Sequence, residues 1–483
     1  MTQITLEPGR PHDPDPSITP GGLPVTVAQH ELRAAFAAHM SRMYGQEVPA
    51  YTTLVEVSEG VNRDHLAQLG EAAERLGSIE RVTAERHGAI RVGTPQELGH
   101  VARVFAAFGM HPVGFYDLRD SASAVPVVST AFRPIDRQEL ARNPFRVFTS
   151  MLVAEDPRFF DADLRRELAD FLGARRLFDD ELLALADRAA AEGGLPEPEA
   201  TELVDRATAV FELSDEPIDE QWYRRLEEIS SVAADIGGVP TTHINHLTPR
   251  VLDIEELYRR MEERGIEMID EIQGPPSWEG PDVLLRQTSF RALDEVRAFR
   301  KPDGSIGEGT LRVRFGEVEQ RGIALTQQGR DLYDRMLGEV DERLAAEGGQ
   351  RAEHARRVWA QHLPTTEQGL AEQELAYFTY ELAEGVTELP ADHRAHELVA
   401  SGHLVATPVV YEDFLPRSAA GIFQSNLTTA GSKDEEQAGT AYDLARLSEI
   451  CGVEIHDPYA LYAAEQQASL DAIARTTGVT VRP

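Results

Sequence analysis

Apolar positions along the chain follow two periods, and the places where the period changes divide it. Residues 1 to about 25 show neither and are rich in Pro, Gly and Asp, which predicts a loose tail. In VAQHELRAAFAAHMSRMYG and NRDHLAQLGEAAERLG, apolar residues recur three and four apart, the spacing of helices with one buried face. HGAIRV switches to a two-residue period and reads as a strand. GTPQELGHVARVFAAFGM returns to the helical period, with a capping signal at its start and Gly109 at its end. HPVGFYDL, SAVPVVSTAFRPI and FRVFTSMLV carry the β-branched and aromatic content of three further strands. The sum is a β-α-β-β-β unit between about 82 and 155.

Residues 156–235 read as acidic amphipathic helices, an insertion typified by DADLRRELADFLGARRLFDDELLALADRAAAEGG. After GGVPTTHINHLTPRV the earlier order returns: strand, helix DIEELYRRMEERG, then strands IEMIDEIQGPP, DVLLRQTSFRAL and LRVRFGEVEQRGIAL. A recurring order predicts an internal duplication. The expected organisation is a tail over 1–25, a helical lead-in and first module over 26–155, the insertion over 156–235, a second module over 236–330, and a helical and mixed region over 331–483 that completes the pocket. The expected class is α+β, a duplicated, curved sheet wrapped by helical insertions.

Composition narrows the chemistry. With 483 residues, 42% hydrophobic and 27% charged, the chain is globular and can bury a sizeable core. Its 47 basic and 82 acidic side chains give a net charge of −35, and no Lys/Arg run gathers into a patch, so no nucleic-acid partner is expected. Cys451 is the single cysteine. It can form no internal disulfide, and a thiolate metal cage is excluded, so any metal must be held by His and carboxylate. The amino terminus has no signal-like apolar stretch, and no segment approaches the roughly 18 uninterrupted apolar residues of a membrane helix; a cytoplasmic protein is expected. Phosphate loop, nucleophile elbow and HExxH motifs are missing from the sequence.

The two modules open alike. In HGAIRVGTPQEL and HLTPRVLDIEEL a His begins a strand, a Val lies five residues later, and a helix follows. Strand parity puts His87, Ala89 and Arg91 on one face, and His246, Thr248 and Arg250 on its counterpart, with His243 and Asn245 on the other side. Glu317, Glu319 and Arg321 share a face of the last strand, and parity leaves both glutamates open. Two imidazoles and one carboxylate are the protein part of a facial iron(II) site with open positions for substrate and dioxygen. A lone His at a strand start is more often structural, but the matched pair favours ligation. Glu317 could instead pair with Arg314 or Arg321, Arg91 could be a surface ion-pair partner, and Gln287 and Ser289 either face the pocket or serve the strand. His100, His111, His354, His362, His393, His396 and His456 have no ligand spacing and read as structural or exposed.

The repeated units, with His opening the first strand and Glu in EVEQR, resemble the vicinal oxygen chelate superfamily and its 4-hydroxyphenylpyruvate dioxygenase branch. More closely, ERHGAIRV, FRVFTSML, HINHLTPR, LLRQTSF, RFGEVEQRG and EDFLPRSAAGIFQSNL resemble the 2-oxoadipate dioxygenase/decarboxylase family, in order from about residue 30 to 470. That resemblance implies iron(II) held by His87, His246 and Glu317, with Glu319 left structural. It implies Arg91 on the substrate carboxylate and Arg417 and Ser418 in the pocket; Ser418 could equally cap or turn the chain before AAGIF. Arg417 departs from the pattern, which has a small apolar residue there, so substrate preference could differ. The implied reaction takes 2-oxoadipate and O2 to 2-hydroxyglutarate and CO2. A dicarboxylate needs a second anchor away from the metal, and the planar fork of an Arg holds both oxygens of a carboxylate. Alternatives are a metal-dependent isomerase or lyase on the same fold and a non-catalytic small-molecule-binding relative.

Overall fold

The strand Arg86–Val92 is the centre from which the site is built. In the computed structural model, which describes residues 26–120, 124–312, 314–415, 433 and 437–483, this strand lies inside a five-stranded sheet. The order is His111–Asp117, Val127–Arg133, Arg146–Leu152, Arg86–Val92 and Ile244–Pro249. Arg86–Val92 runs parallel to Arg146–Leu152 and antiparallel to Ile244–Pro249, so the strands bearing the two candidate histidines are hydrogen-bonded neighbours. Apolar residues on one side, including Ile90, Val92, Val147 and Leu247, join one core with Phe36, Val101 and Phe105 of the covering helices. The opposite side carries His87, Ala89 and Arg91.

Helix Pro95–Ala107 starts at Thr94, whose side chain accepts from the Glu97 backbone in a capping box, and the chain turns at Gly109 with φ +63°. Two long helices, Gln29–Glu47 and Pro49–Leu69, precede the sheet. The second begins well before the Asn62 expected from apolar spacing. Pro49 suits a first helical turn, and the β-branched residues of AYTTLVEV blur the period. Five helices lie between Ala162 and Gly237; Asp180–Glu192 packs on Pro95–Ala107, Glu197–Ala209 on Gln29–Glu47, and Ser231–Gly237 on the strand Arg146–Leu152.

After Ile244–Pro249 and helix Ile254–Glu263, the strand expected over IEMIDEIQGPP is reduced to single bridges, Met268 to Phe290 and Gln273 to Gln287. Leu285–Phe290 pairs antiparallel with Gly316–Arg321, and Arg250 bridges in parallel to Glu319. Between those strands lies a hairpin, Glu295–Arg300 with Ile306–Leu311, which pairs with Ile218–Asp219. The expected single strand LRVRFGEVEQRGIAL is therefore broken near Arg314. Helices Gln327–Glu347, Arg351–His362 and Pro458–Thr477 pack with the hairpin Phe378–Leu382 and Leu404–Pro408 around a second core that includes Trp359. The protein is thus mixed α+β with several small sheets and, among the described residues, no barrel. Among the described residues, no helix is long and apolar enough to cross a membrane.

Candidate metal centre

Three of the predicted residues converge. His87, His246 and Glu317 are buried, and one ligand atom from each lies within 4.8 Å of the others. Nε2 of His87 is 3.5 Å from Glu317 Oε1, and Nε2 of His246 is 3.4 Å from Glu317 Oε2. The cause is register: His246 sits opposite Ala89, two residues from His87 and on the same face, and the Arg250–Glu319 bridge brings the Glu317 strand alongside. Among the described residues this is the one His/Cys/Asp/Glu group placed to hold a metal.

The two glutamates that parity could not separate have different surroundings. Glu319 Oε2 lies 2.7 Å from Nδ1 of His87, and its carboxylate accepts from Arg321 Nε at 2.7 Å and Nη2 at 2.9 Å. Arg146 adds a third donor at 3.3 Å. Glu319 thus turns Nε2 of His87 toward Glu317, the arrangement of a carboxylate behind a metal-ligating imidazole. Burial works against its charge, but Arg321, His87 and Arg146 outweigh that and hold its pKa at about 2. Burial raises the Glu317 carboxyl above its ordinary value, although His87 opposes the shift. Gln287, opposite Glu319 in the register, donates to Glu317 Oε1; Ser289 lies opposite Glu317 itself.

The imidazoles also differ. Burial, then the charges of His87 and Arg91, push His246 well below the ordinary histidine value and keep it neutral with a lone pair available. At His87 burial acts in the same direction but is outweighed by Glu319 and Glu317, so its pKa is raised. Phe414 stands edge-on to His87 at 5.0 Å between ring centres, and Phe315 lies 5.2 Å from His246. These rings line the site with apolar surface that keeps water away.

Down the sheet the side chains change in steps. Ala89, Phe148 and Ala131 form one apolar rung; the next, two residues on, is Arg91, Ser150 and Ser129, with the serine hydroxyls 2.8 Å apart. Arg91 is buried and pairs through Nη1 with Asp235. The expected exclusion of His243 and Asn245 from this face fails. Ala89 pairs with His246 but Ile90 with Ile244, a β-bulge that skips one residue. His243 and Asn245 consequently meet the Arg91 side at Asp235, at 3.2 and 2.9 Å. Asp235 was not anticipated; its one sequence signal is an acid in the otherwise apolar run SVAADIGGV. Arg417 and Ser418 lie outside the described residues. A surface cleft of about 590 Å3 beside Tyr380 and Glu465 includes none of the triad.

An α+β chain with two imidazoles and a carboxylate converging in a buried, aromatic-lined site has the makings of a mononuclear metalloenzyme. The sequence model for 2-oxoadipate dioxygenase/decarboxylase matches residues 36–426. The chain belongs to that family, the one its motifs resemble. A protein of that name from Mycobacterium tuberculosis is 55% identical over 437 residues, covering 90% of this chain and 97% of the relative. One from Pseudomonas putida is 43% identical over 465 residues, covering 93% and 97%. The crystal structure of hydroxyglutarate synthase in complex with 2-oxoadipate, also from Pseudomonas putida, superposes with a TM-score of 0.82 at 39% identity, covering 94% of this chain and 99% of that one.

Proposed function

We propose that this enzyme is an iron(II)-dependent dioxygenase that converts 2-oxoadipate and O2 into 2-hydroxyglutarate and CO2, with His87, His246 and Glu317 as ligands. The convergence of these three side chains carries the reading. Membership of the family supports the substrate. We further read the two sets of strands as duplicated vicinal oxygen chelate modules, because each joins its first strand in parallel to its last, the second through the single Arg250–Glu319 bridge, and pairs its last antiparallel with an earlier one. The single cysteine suits a reducing, cytoplasmic setting.

The residues fit such an ion: two buried imidazole nitrogens and one carboxylate on a common side, with the rest of the sphere left to substrate. Iron(II) bound there supplies chelation of a 2-oxo acid and activation of O2. The protein's own residues do the rest. Glu319 holds the proton of His87 at Nδ1, leaving Nε2 for ligation. Ala89, Phe148 and Ala131 accept the methylenes of the substrate, and Arg91, at the next rung, takes the distal carboxylate. Successive residues on one face are about 7 Å apart, which matches the length of a six-carbon diacid.

The test is stoichiometric. On adding 2-oxoadipate to the iron(II)-loaded protein, O2 consumed, CO2 released and 2-hydroxyglutarate formed should be equal. Turnover that continues unchanged under strict anaerobiosis would sink the oxygenase reading in favour of an isomerase or lyase.

A further inference from the structure

Asp235 ends the helical insertion, and its carboxylate is almost wholly buried. A buried, ionised carboxylate persists only where donors replace water. Asp235 Oδ2 has two, Arg91 Nη1 and Asn245 Nδ2, and the His243 ring stands beside the same carboxylate with Nε2 3.2 Å from Oδ1. Burial opposes its charge, but His243 and Arg91 outweigh it and hold the acid well below its usual range. We propose that Asp235 is the positioning residue for Arg91, and that the insertion enters the site through it to set the preference for a diacid. The inference rests on the reading of Arg91 as the distal carboxylate anchor.

The carboxylate is fixed from behind. Helix Ser231–Gly237 is buried at every residue. Arg175 Nη1 donates to the carbonyls of Ile236 at 2.8 Å and Val239 at 3.1 Å, and Trp222 Nε1 donates to Gly237 at 2.8 Å. The helix end allows no side chain: a Cβ on Gly237 would lie 2.7 Å from Leu168 Cδ2, and one on Gly238 would lie 2.5 Å from the Ala234 carbonyl. The same segment reaches the Arg91 backbone, where Thr242 Oγ1 donates to the carbonyl at 2.6 Å. Both ends of Arg91 are therefore held by the chain between 235 and 242. An arginine side chain carries considerable rotamer entropy, and a partner that orders it beforehand removes that cost from substrate binding. A guanidinium held in one direction also favours a carboxylate at one distance over the methyl end of a monoacid.

The experiment compares 2-oxoadipate with 2-oxohexanoate, the same chain ending in a methyl group, on iron(II)-loaded full-length protein. Wild type should prefer the diacid in kcat/KM. Asp235→Asn should cut that preference about 10-fold or more through KM, with kcat changed less than about 3-fold and metal content unchanged. Because removing the negative charge beside a buried guanidinium could unfold the variant, Arg91→Gln and Arg91→Gln/Asp235→Asn form the second arm, in which that guanidinium is absent. If Asp235 acts only through Arg91, adding Asp235→Asn to Arg91→Gln should alter the preference less than about 2-fold. An Asp235→Asn enzyme with wild-type preference, or an undiminished effect in the Arg91→Gln background, overturns the inference alone. Wild type with no preference for the diacid overturns the Arg91 reading and the inference with it.

Discussion

Two glutamates separated by one residue on the same strand illustrate what residue type alone can and cannot settle. Glu317 and Glu319 share a face and both are buried, yet Glu317 has one neutral amide donor, Gln287, whereas Glu319 is held by Arg321 and Arg146. Alternation supplied the face and put Arg321 beside Glu319 on one strand, but Arg146, which also holds Glu319, comes from a strand whose pairing no local pattern encodes. His243 shows the converse failure, since a single skipped residue beside Ala89 reverses the parity on which its exclusion rested. The distinction between the glutamates has a measurable outcome. Glu319→Gln keeps the shape but weakens the hold on His87 Nδ1, and iron(II) affinity should fall about 10- to 100-fold, as for other supporting partners of metal ligands. Glu317→Gln should abolish binding. Equilibrium dialysis with metal analysis separates the two, and equal losses would contradict the division of roles.

At the scale of elements, strongly periodic or well-capped segments were legible: Pro95–Ala107 with its Thr94–Glu97 box, and Ile254–Glu263 behind Asp253. The strands that carry His87, His246 and Glu317 were legible too. What escaped was set by tertiary contact. IEMIDEIQGPP has strand composition, but it pairs only at Met268 and Gln273. The break that separates Leu311 from Gly316 is likewise tertiary, because Arg314 turns into Glu295 and Glu47 instead of continuing the ladder. Gly316 marks the point where the Glu317 strand begins, and it is glycine for a steric reason: a Cβ there would lie 1.8 Å from the Phe290 ring. Gly316→Ala must push the ring or the strand aside. A loss of about 1–3 kcal/mol in denaturant unfolding is expected, together with weaker iron(II) binding because Glu317 moves with its neighbour. Unchanged stability and affinity would show that the two strands are less tightly apposed.

Across the whole molecule, the site is joined to its surroundings by buried charge. Behind His87, Glu85 accepts from Arg146 at 2.7 Å and Arg250 at 2.9 Å, while Glu412 pairs with Arg146 and Arg81. These links tie Arg81, Glu85 and Arg146 to Arg250 and to Glu412, far apart in the chain, in one network. Burial resists ionisation of each acid, but the arginines prevail and leave Glu85, Glu412 and Glu319 with lowered pKa values. The sign follows from linkage: an acid whose folded pKa is depressed contributes stability that is present above its unfolded value, about 4.3, and is lost as pH falls toward the folded one. For Glu319, held at about 2, the contribution is on the order of 3 kcal/mol. His87 works in the opposite sense: its raised pKa adds stability below about 6.5 that is lost as pH rises through the folded value. The metal-free protein should therefore lose denaturant stability steeply from about pH 5 to pH 2 and more gently above neutrality. Iron(II) should abolish the gentler loss, since ligation takes the place of the proton on His87. In Glu319→Gln both slopes should shrink, because one carboxylate serves both equilibria; an acid limb of unchanged steepness would mean that its charge does not stabilise the fold.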